Sequence, residues 1–80
     1  MIKLQGIKEH WVGSQAGNAK IGDYRAFNFG SISKIIDIKD KGSKSILMTT
    51  IDKDGTEWEK ILRKTREIVL CDENGNEIER

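Results

Sequence analysis

The sequence predicts an all-β fold: a small, strongly bent antiparallel sheet of about five or six strands, rolled into a barrel or a roll. Three observations carry that expectation. Short runs of Ile, Val, Leu, Thr and aromatic residues alternate with polar ones. Turn signals built on Gly, Asp and Asn separate these runs roughly every 8–12 residues. The chain contains no proline and no internal repeat or low-complexity tract.

The elements follow in order. Ile2 and Leu4 have strand spacing, so a first strand is expected around residues 2–10, although Ile7 and Trp11 also fit a helical spacing. Residues 13–19 are small and polar and include Gly13 and Gly17, a loop composition that makes them the best candidate for a mobile surface segment. Gly22 and Asp23 form the turn into a strand over 24–29. Phe27 and Phe29 mark its core side together with Arg25, leaving Tyr24, Ala26 and Asn28 opposite, with Tyr24 near a rim. Ile36 and Ile38 then share parity while Ile35 falls opposite, so a bulge or strong coil is expected near residues 33–35. Asp40, Lys41, Gly42 and Ser43 make a turn. Residues 44–51 carry apolar members on both faces, as a strand serving two walls of a small barrel would.

Asp52, Asp54 and Gly55 give the clearest hairpin signal. Residues 56–66 read two ways. Thr56 and Glu59 have capping-box spacing, and Trp58, Ile61, Leu62 and Thr65 would form a helical stripe. The preceding Asp54-Gly55 and the alternation of Trp58, Lys60 and Leu62 favour a returning strand over 56–62, closed by a tight turn over 63–65. A short strand over 67–71 sets Ile68 and Leu70 against Val69 and Cys71. After the Asn74-Gly75 turn, residues 76–80 pair briefly as an edge or fray.

Eighty residues make at most one domain with a thin core. It divides into an N-terminal strand and loop (1–19), the barrel (20–71) and an acidic turn and tail (72–80). Lys and Arg number 14 against 13 Asp and Glu, a formal charge of +1. That balance hides an asymmetry: residues 1–66 hold 13 basic and 8 acidic side chains, whereas 67–80 hold one basic and five acidic. The acidic tail is therefore a candidate to fold back over a basic patch. Cys71 is the single cysteine, which rules out an internal disulfide or a zinc cluster within a monomer and suits a reducing cytoplasm. No apolar segment resembles a signal peptide or a membrane span, so a cytoplasmic protein without membrane contact is expected.

The spacing of Lys20, Gly22, Asp23, Phe27 and Gly30 is followed by an Ile-rich strand, a polar loop, a second strand, an Asp-Gly hairpin and a last short strand after a one-turn helix. This order resembles small SH3-like barrels, the tudor-like ones included, and the resemblance runs from about residue 20 to 71. It implies a barrel that binds peptides, modified tails, nucleic acids or neighbouring domains. An aromatic cage for methylated side chains would need three or four convergent rings. The chain has five aromatics, Trp11, Tyr24, Phe27, Phe29 and Trp58, and the core needs two or three of them.

No catalytic constellation is legible. His10 has no nucleophile placed beside it by any motif, and Cys71 sits in an apolar alternation before an acidic turn, which suits a buried structural thiol. Asp52, Asp54 and Glu57 do not match a calcium loop, and turn chemistry accounts for both aspartates. No cofactor or metal is expected, and an enzyme is the least favoured class. The charged residues say more. Lys60, Arg63, Lys64 and Arg66 form one basic group, and Lys34, Lys39, Lys41 and Lys44 another. If they converge with Tyr24 or Trp58 exposed between them, they would hold phosphates while a ring stacks on a base; otherwise they are lysines that keep a sheet edge soluble. Trp11 reads as a plug across the open end of the barrel, or as an exposed anchor. The candidate binding set is thus Trp11, Tyr24, Arg25, Trp58, Lys60, Arg63, Lys64 and Arg66. Its first expected use is a non-enzymatic adaptor contacting another protein, including a second copy of the chain. The alternative is a nucleic-acid-binding barrel using the basic residues around 34–44 and 60–66.

Overall fold

A computed structural model describes residues 2–3, 10–27 and 31–80. The chain is all-β: β1 (Ile2–Lys3), β2 (His10–Trp11), β3 (Ser14–Gln15), β4 (Tyr24–Ala26), β5 (Ile32–Asp40), β6 (Ser45–Ile51), β7 (Glu57–Arg63), β8 (Glu67–Cys71) and β9 (Glu77–Ile78), with one 3₁₀ turn over Ala16–Asn18. β1 and β2 pair antiparallel as a two-stranded ribbon, Ile2 opposite Trp11. Residues 2–3 and 10–11 thus belong to two antiparallel strands, and the rest of the strand expected around 2–10 lies outside the described residues. The other seven strands form one antiparallel sheet in the order β3-β8-β4-β5-β6-β7, with β9 also paired to β8.

This sheet is open. The strands at its two ends, β3 and β7, do not pair, and the sheet is neither closed nor strongly curled. The expected SH3-like barrel is thereby overturned, and with it the family resemblance drawn from the Gly22-Asp23 turn. The body is correspondingly flat, with extents of 35 × 29 × 17 Å.

The apolar pattern that suggested a barrel does not decide closure, as β8 shows. Ile68 and Leu70 join Ala16, Ile35, Ile46, Met48 and Leu62 in the main core on one face. Val69 and Cys71 join Ala26 in a second, smaller core on the other face, against which Trp11, Tyr24 and Ile32 pack. Apolar residues on both faces of a strand suit an open sheet covered on two sides as well as they suit two walls of a barrel.

Local turn chemistry sets the hairpins. Asp52 N–H donates to Thr56 O (2.9 Å) and Gly55 N–H to Asp52 O (3.0 Å); the β8–β9 turn repeats this with Asp72, Gly75 and Asn76. Gly55 and Gly75 both sit at positive φ (88° and 84°), the left-handed position of a three-residue hairpin loop. β7 is a strand and not a helix, and the tight turn that follows is closed by Arg66 N–H to Arg63 O. In β5 the register against β6 shifts between Ile35 and Asp37. The bulge is thus real and falls on Ile36, just past the place expected, turning Ile35 and Ile38 both toward the main core.

Residues 13–19 are in part regular structure packed on the core rather than a surface loop throughout. β3 pairs with β8, Ser14 is buried and Ala16 is fully buried in the main core. Ala16 N–H donates to Arg66 O (2.8 Å) and Gly17 N–H to Lys64 O (2.9 Å). The small residues serve close packing: a Cβ on Gly17 would stand 2.9 Å from Lys64 Cβ and 3.2 Å from Lys64 O. Gly17→Ala is expected to push the 3₁₀ turn off the β7–β8 corner and destabilise the fold by about 1–2 kcal/mol, measured as a lower midpoint in urea unfolding.

Candidate groove on the open sheet

Side chains directly opposite one another across antiparallel strands share a face. Arg25 lies opposite Ser33 and Leu70, Thr50 opposite Trp58, and Met48 opposite Lys60. These residues therefore stand on the main-core face. At one end of that face the core is covered by Ala16 and its neighbours. At the other it is left as an open groove of about 910 Å³, with Arg25, Phe27, Ser33, Thr50, Trp58, Lys60 and Arg66 among its walls. Met48, fully buried, belongs both to this groove and to the core beneath it.

The aromatic members are presented outward. Trp58 is 60% exposed and Phe27 36%. Phe27 was expected in the core with Phe29. The structure places Phe27 at the surface; Asn28 and Phe29 lie outside the described residues. Ala26, on the face assigned away from the core, is the buried residue of β4. Asp52 holds the Trp58 ring in place: its Oδ2 accepts the indole N–H at 2.7 Å and its Oδ1 accepts the Ser33 hydroxyl. A single carboxylate thus links β5, the hairpin and β7. Asp54 serves its own turn, accepting Thr56 N–H at 3.0 Å. Among the described residues no group of three or more acidic, His or Cys side chains could hold a metal ion.

The cations are placed unusually. Arg25 is half-buried and its guanidinium lies 4.7 Å over the Phe27 ring. Burial, and then the nearby charge of Arg66, push its pKa down from the ordinary value. Among the described residues, neither arginine has a carboxylate partner; the ion pairs present are Lys39–Asp37, Lys64–Asp40 and Arg80–Asp23. Two like charges held together, one of them partly desolvated, oppose folding unless an anion joins them.

Of the expected binding residues, the groove gathers Arg25, Trp58, Lys60 and Arg66. Tyr24 faces the other way, in a smaller hollow with Ile32, Lys34, Ile51 and Glu73. Trp11 is half-buried against the Ala26, Val69 and Cys71 cluster, and with no barrel mouth it plugs nothing. Arg63 lies opposite Ser45 on the reverse face, and Lys64 packs at the 3₁₀ turn with its ammonium 3.4 Å from Asp40. Lys34 belongs to that second hollow, apart from the groove, while Lys44 stands beside Lys64, whose N–H donates to Lys44 O at 2.8 Å. Nor does the acidic tail cover the groove: no residue of 72–80 lines it, and β9 pairs with β8 instead. Cys71 is fully buried, and burial, then Asp72 and Glu77, raise its thiol pKa, in keeping with a structural thiol. Sequence reasoning missed Phe27, Ser33, Thr50 and Asp52 as parts of the site. Only Phe27 carried a usable signal, an aromatic sharing parity with Arg25 two residues away.

No helix among the described residues is long and apolar enough to cross a membrane. Compared with family models, with curated proteins and with solved structures, the chain matches none.

Proposed function

We propose that this protein is a non-enzymatic binding module of the reducing cytoplasm whose open groove takes single-stranded nucleic acid. The observation that carries the reading is that one groove holds Arg25 and Arg66, neither with a carboxylate partner among the described residues, beside two outward-facing aromatic rings. An anion relieves the repulsion between the arginines, and Lys53 and Lys60 bring the basic residues lining the groove to four, against Asp52, Asp54 and Glu59. Phosphates supply such anions at regular spacing, while bases stack on any accessible ring with little regard to sequence. Trp58, fixed through its indole N–H, is a stacking platform that loses little freedom on binding. Its neighbours on the groove side are Thr50, Asp52 and Lys60 rather than a continuous apolar patch, which favours a polar ligand over an apolar protein surface.

Anisotropy titration of a fluorescein-labelled 12-mer of dT or U, begun at about 50 mM salt, tests this reading. Binding is expected to weaken steeply as salt rises, with a log–log slope of about −2 from the phosphates neutralised. Trp58→Ala is expected to weaken it about tenfold or more. Absence of binding at low salt, or equal competition by an oligoglutamate of the same charge, overturns the nucleic-acid reading.

A further inference from the structure

We infer that the protein forms a two-fold dimer by pairing the outer edge of β7 with the same strand of a second copy. β7 ends the sheet, and among the described residues no strand pairs with its outer side. It runs for seven residues in unbroken register against β6, with no bulge and no proline. Such an edge, long, regular and uncovered, is a template for another strand.

The backbone decides which residues face outward. Asp52 N–H reaches Thr56 O and Lys64 N–H reaches Lys44 O, so the even-numbered residues of β7 direct their N–H and C=O groups toward β6. Glu57, Glu59, Ile61 and Arg63 therefore present theirs to solvent. The side chains of these four alternate away from the main-core face, Glu59 also bordering the groove, and all four are exposed, Ile61 at 61%. Among the described residues Glu59 and Arg63 take part in no ion pair.

Charge selects the register. Two antiparallel copies related by an axis perpendicular to the sheet can meet with Glu59, Lys60 or Ile61 on the axis. The first sets Glu59 against Glu59. The second sets Lys60 against Lys60, while also placing Glu57 of each copy opposite Arg63 of the other. The third sets Ile61 against Ile61 and places Glu59 of each copy opposite Arg63 of the other. Like charges directly opposite are unfavourable, and opposite charges or apolar pairs are favourable. Of the three, only the third combines opposite-charge pairs with an apolar pair and sets no like charges directly opposite. It also extends an apolar row across the junction, because Leu47 already lies opposite Ile61 within each copy. The axis keeps both grooves on one side of the joined sheet.

Sedimentation equilibrium of the full chain from about 5 to 500 μM tests the inference. The expected result is reversible association to twice the 9.1 kDa chain mass, with a dissociation constant on the order of 10 μM for so small an interface. Glu59→Arg and Arg63→Glu are each expected to weaken the dimer about tenfold or more, since each replaces two attractive pairs with two repulsive ones. The double swap restores the pairs and is expected to restore association. All three variants change exposed side chains, and circular dichroism checks that they remain folded. A wild-type chain that stays monomeric at 500 μM overturns the inference, and so does a dimer untouched by the single swaps or not restored by the double one.

Discussion

Arg25→Ala is expected to weaken binding of a single-stranded oligonucleotide by about 10- to 100-fold, the loss of one or two charge-assisted contacts of roughly 1.5–3 kcal/mol. The same change is expected to leave the thermal midpoint unchanged or raise it by a few degrees. Arg25 is half-buried, has no carboxylate partner among the described residues, and sits in the field of Arg66. Its removal therefore relieves a repulsion, set against the loss of its contact with the Phe27 ring, about 0.5–1 kcal/mol, and of the packing of its half-buried stem. A residue that burdens the fold and serves a ligand should show opposite signs in the two measurements. Calorimetry and anisotropy on the same preparation provide both. A midpoint that collapses with the substitution would make Arg25 structural and remove the main support for the groove as an anion site.

The largest loss of stability is expected at Asp23. This carboxylate is only 7% exposed and gathers three parts of the chain. Its Oδ2 accepts Lys20 N–H at 3.0 Å, closing the turn into β4, and the Arg80 guanidinium grips both oxygens. Arg80 N–H in turn donates to Ser14 Oγ at 2.9 Å, and Asp23 O accepts Ile35 N–H at 2.8 Å. Asp23→Ala leaves the guanidinium and the Lys20 amide without their acceptor and is expected to cost about 3 kcal/mol. In an 80-residue chain that corresponds to about 15 °C or more.

The pH dependence has a definite sign. Burial alone would raise the Asp23 pKa, but the hydrogen bonds from Arg80 and Lys20 and their charges outweigh it and hold the carboxyl below its ordinary value. A depressed folded-state pKa contributes stability above the unfolded value, and that contribution is lost as pH falls through the folded one. Asp54 and Asp72, held low first by the backbone N–H groups of Thr56 and Asn76 respectively, act in the same direction. The thermal midpoint of the native chain should therefore fall as pH drops below about 4, and the Asp23→Ala variant should show a shallower fall. Equal slopes for the two proteins would remove Asp23 from this role.

What could be read from the residues divides by range. The β7 strand, the β8 strand at Glu67–Cys71 and the two Asp-x-x-Gly hairpins depend on alternation and on turn chemistry within a few positions, and all are present. Closure of the sheet depends on whether distant edges meet, and no local pattern encodes that. The two-sided apolar pattern of Ile68, Val69, Leu70 and Cys71 is compatible with either outcome. Residues 13–19 misled for another reason. Gly and Ala are the usual composition of a loop, and they are also what a backbone needs to approach Lys64 and the core closely. In the groove, Arg25, Trp58, Lys60 and Arg66 were legible as charge and aromatic character. Asp52 was legible only as a turn residue, because its contacts to Ser33 and Trp58 arise from strand register. Phe27 was assigned inward on hydrophobicity alone, and strand β4 buries its small Ala26 instead.

The groove reading meets its most direct test in proton–nitrogen correlation spectra of the labelled chain titrated with a 12-mer of dT or U. The two tryptophans give separate indole N–H signals, one on each face of the sheet. Binding in the groove predicts that the Trp58 indole and the amides of Arg25, Phe27, Ser33 and Lys60 shift progressively, while the Trp11 indole stays in place. Shifts confined to Trp11, Tyr24 and Lys34, or no shifts at all, would contradict it.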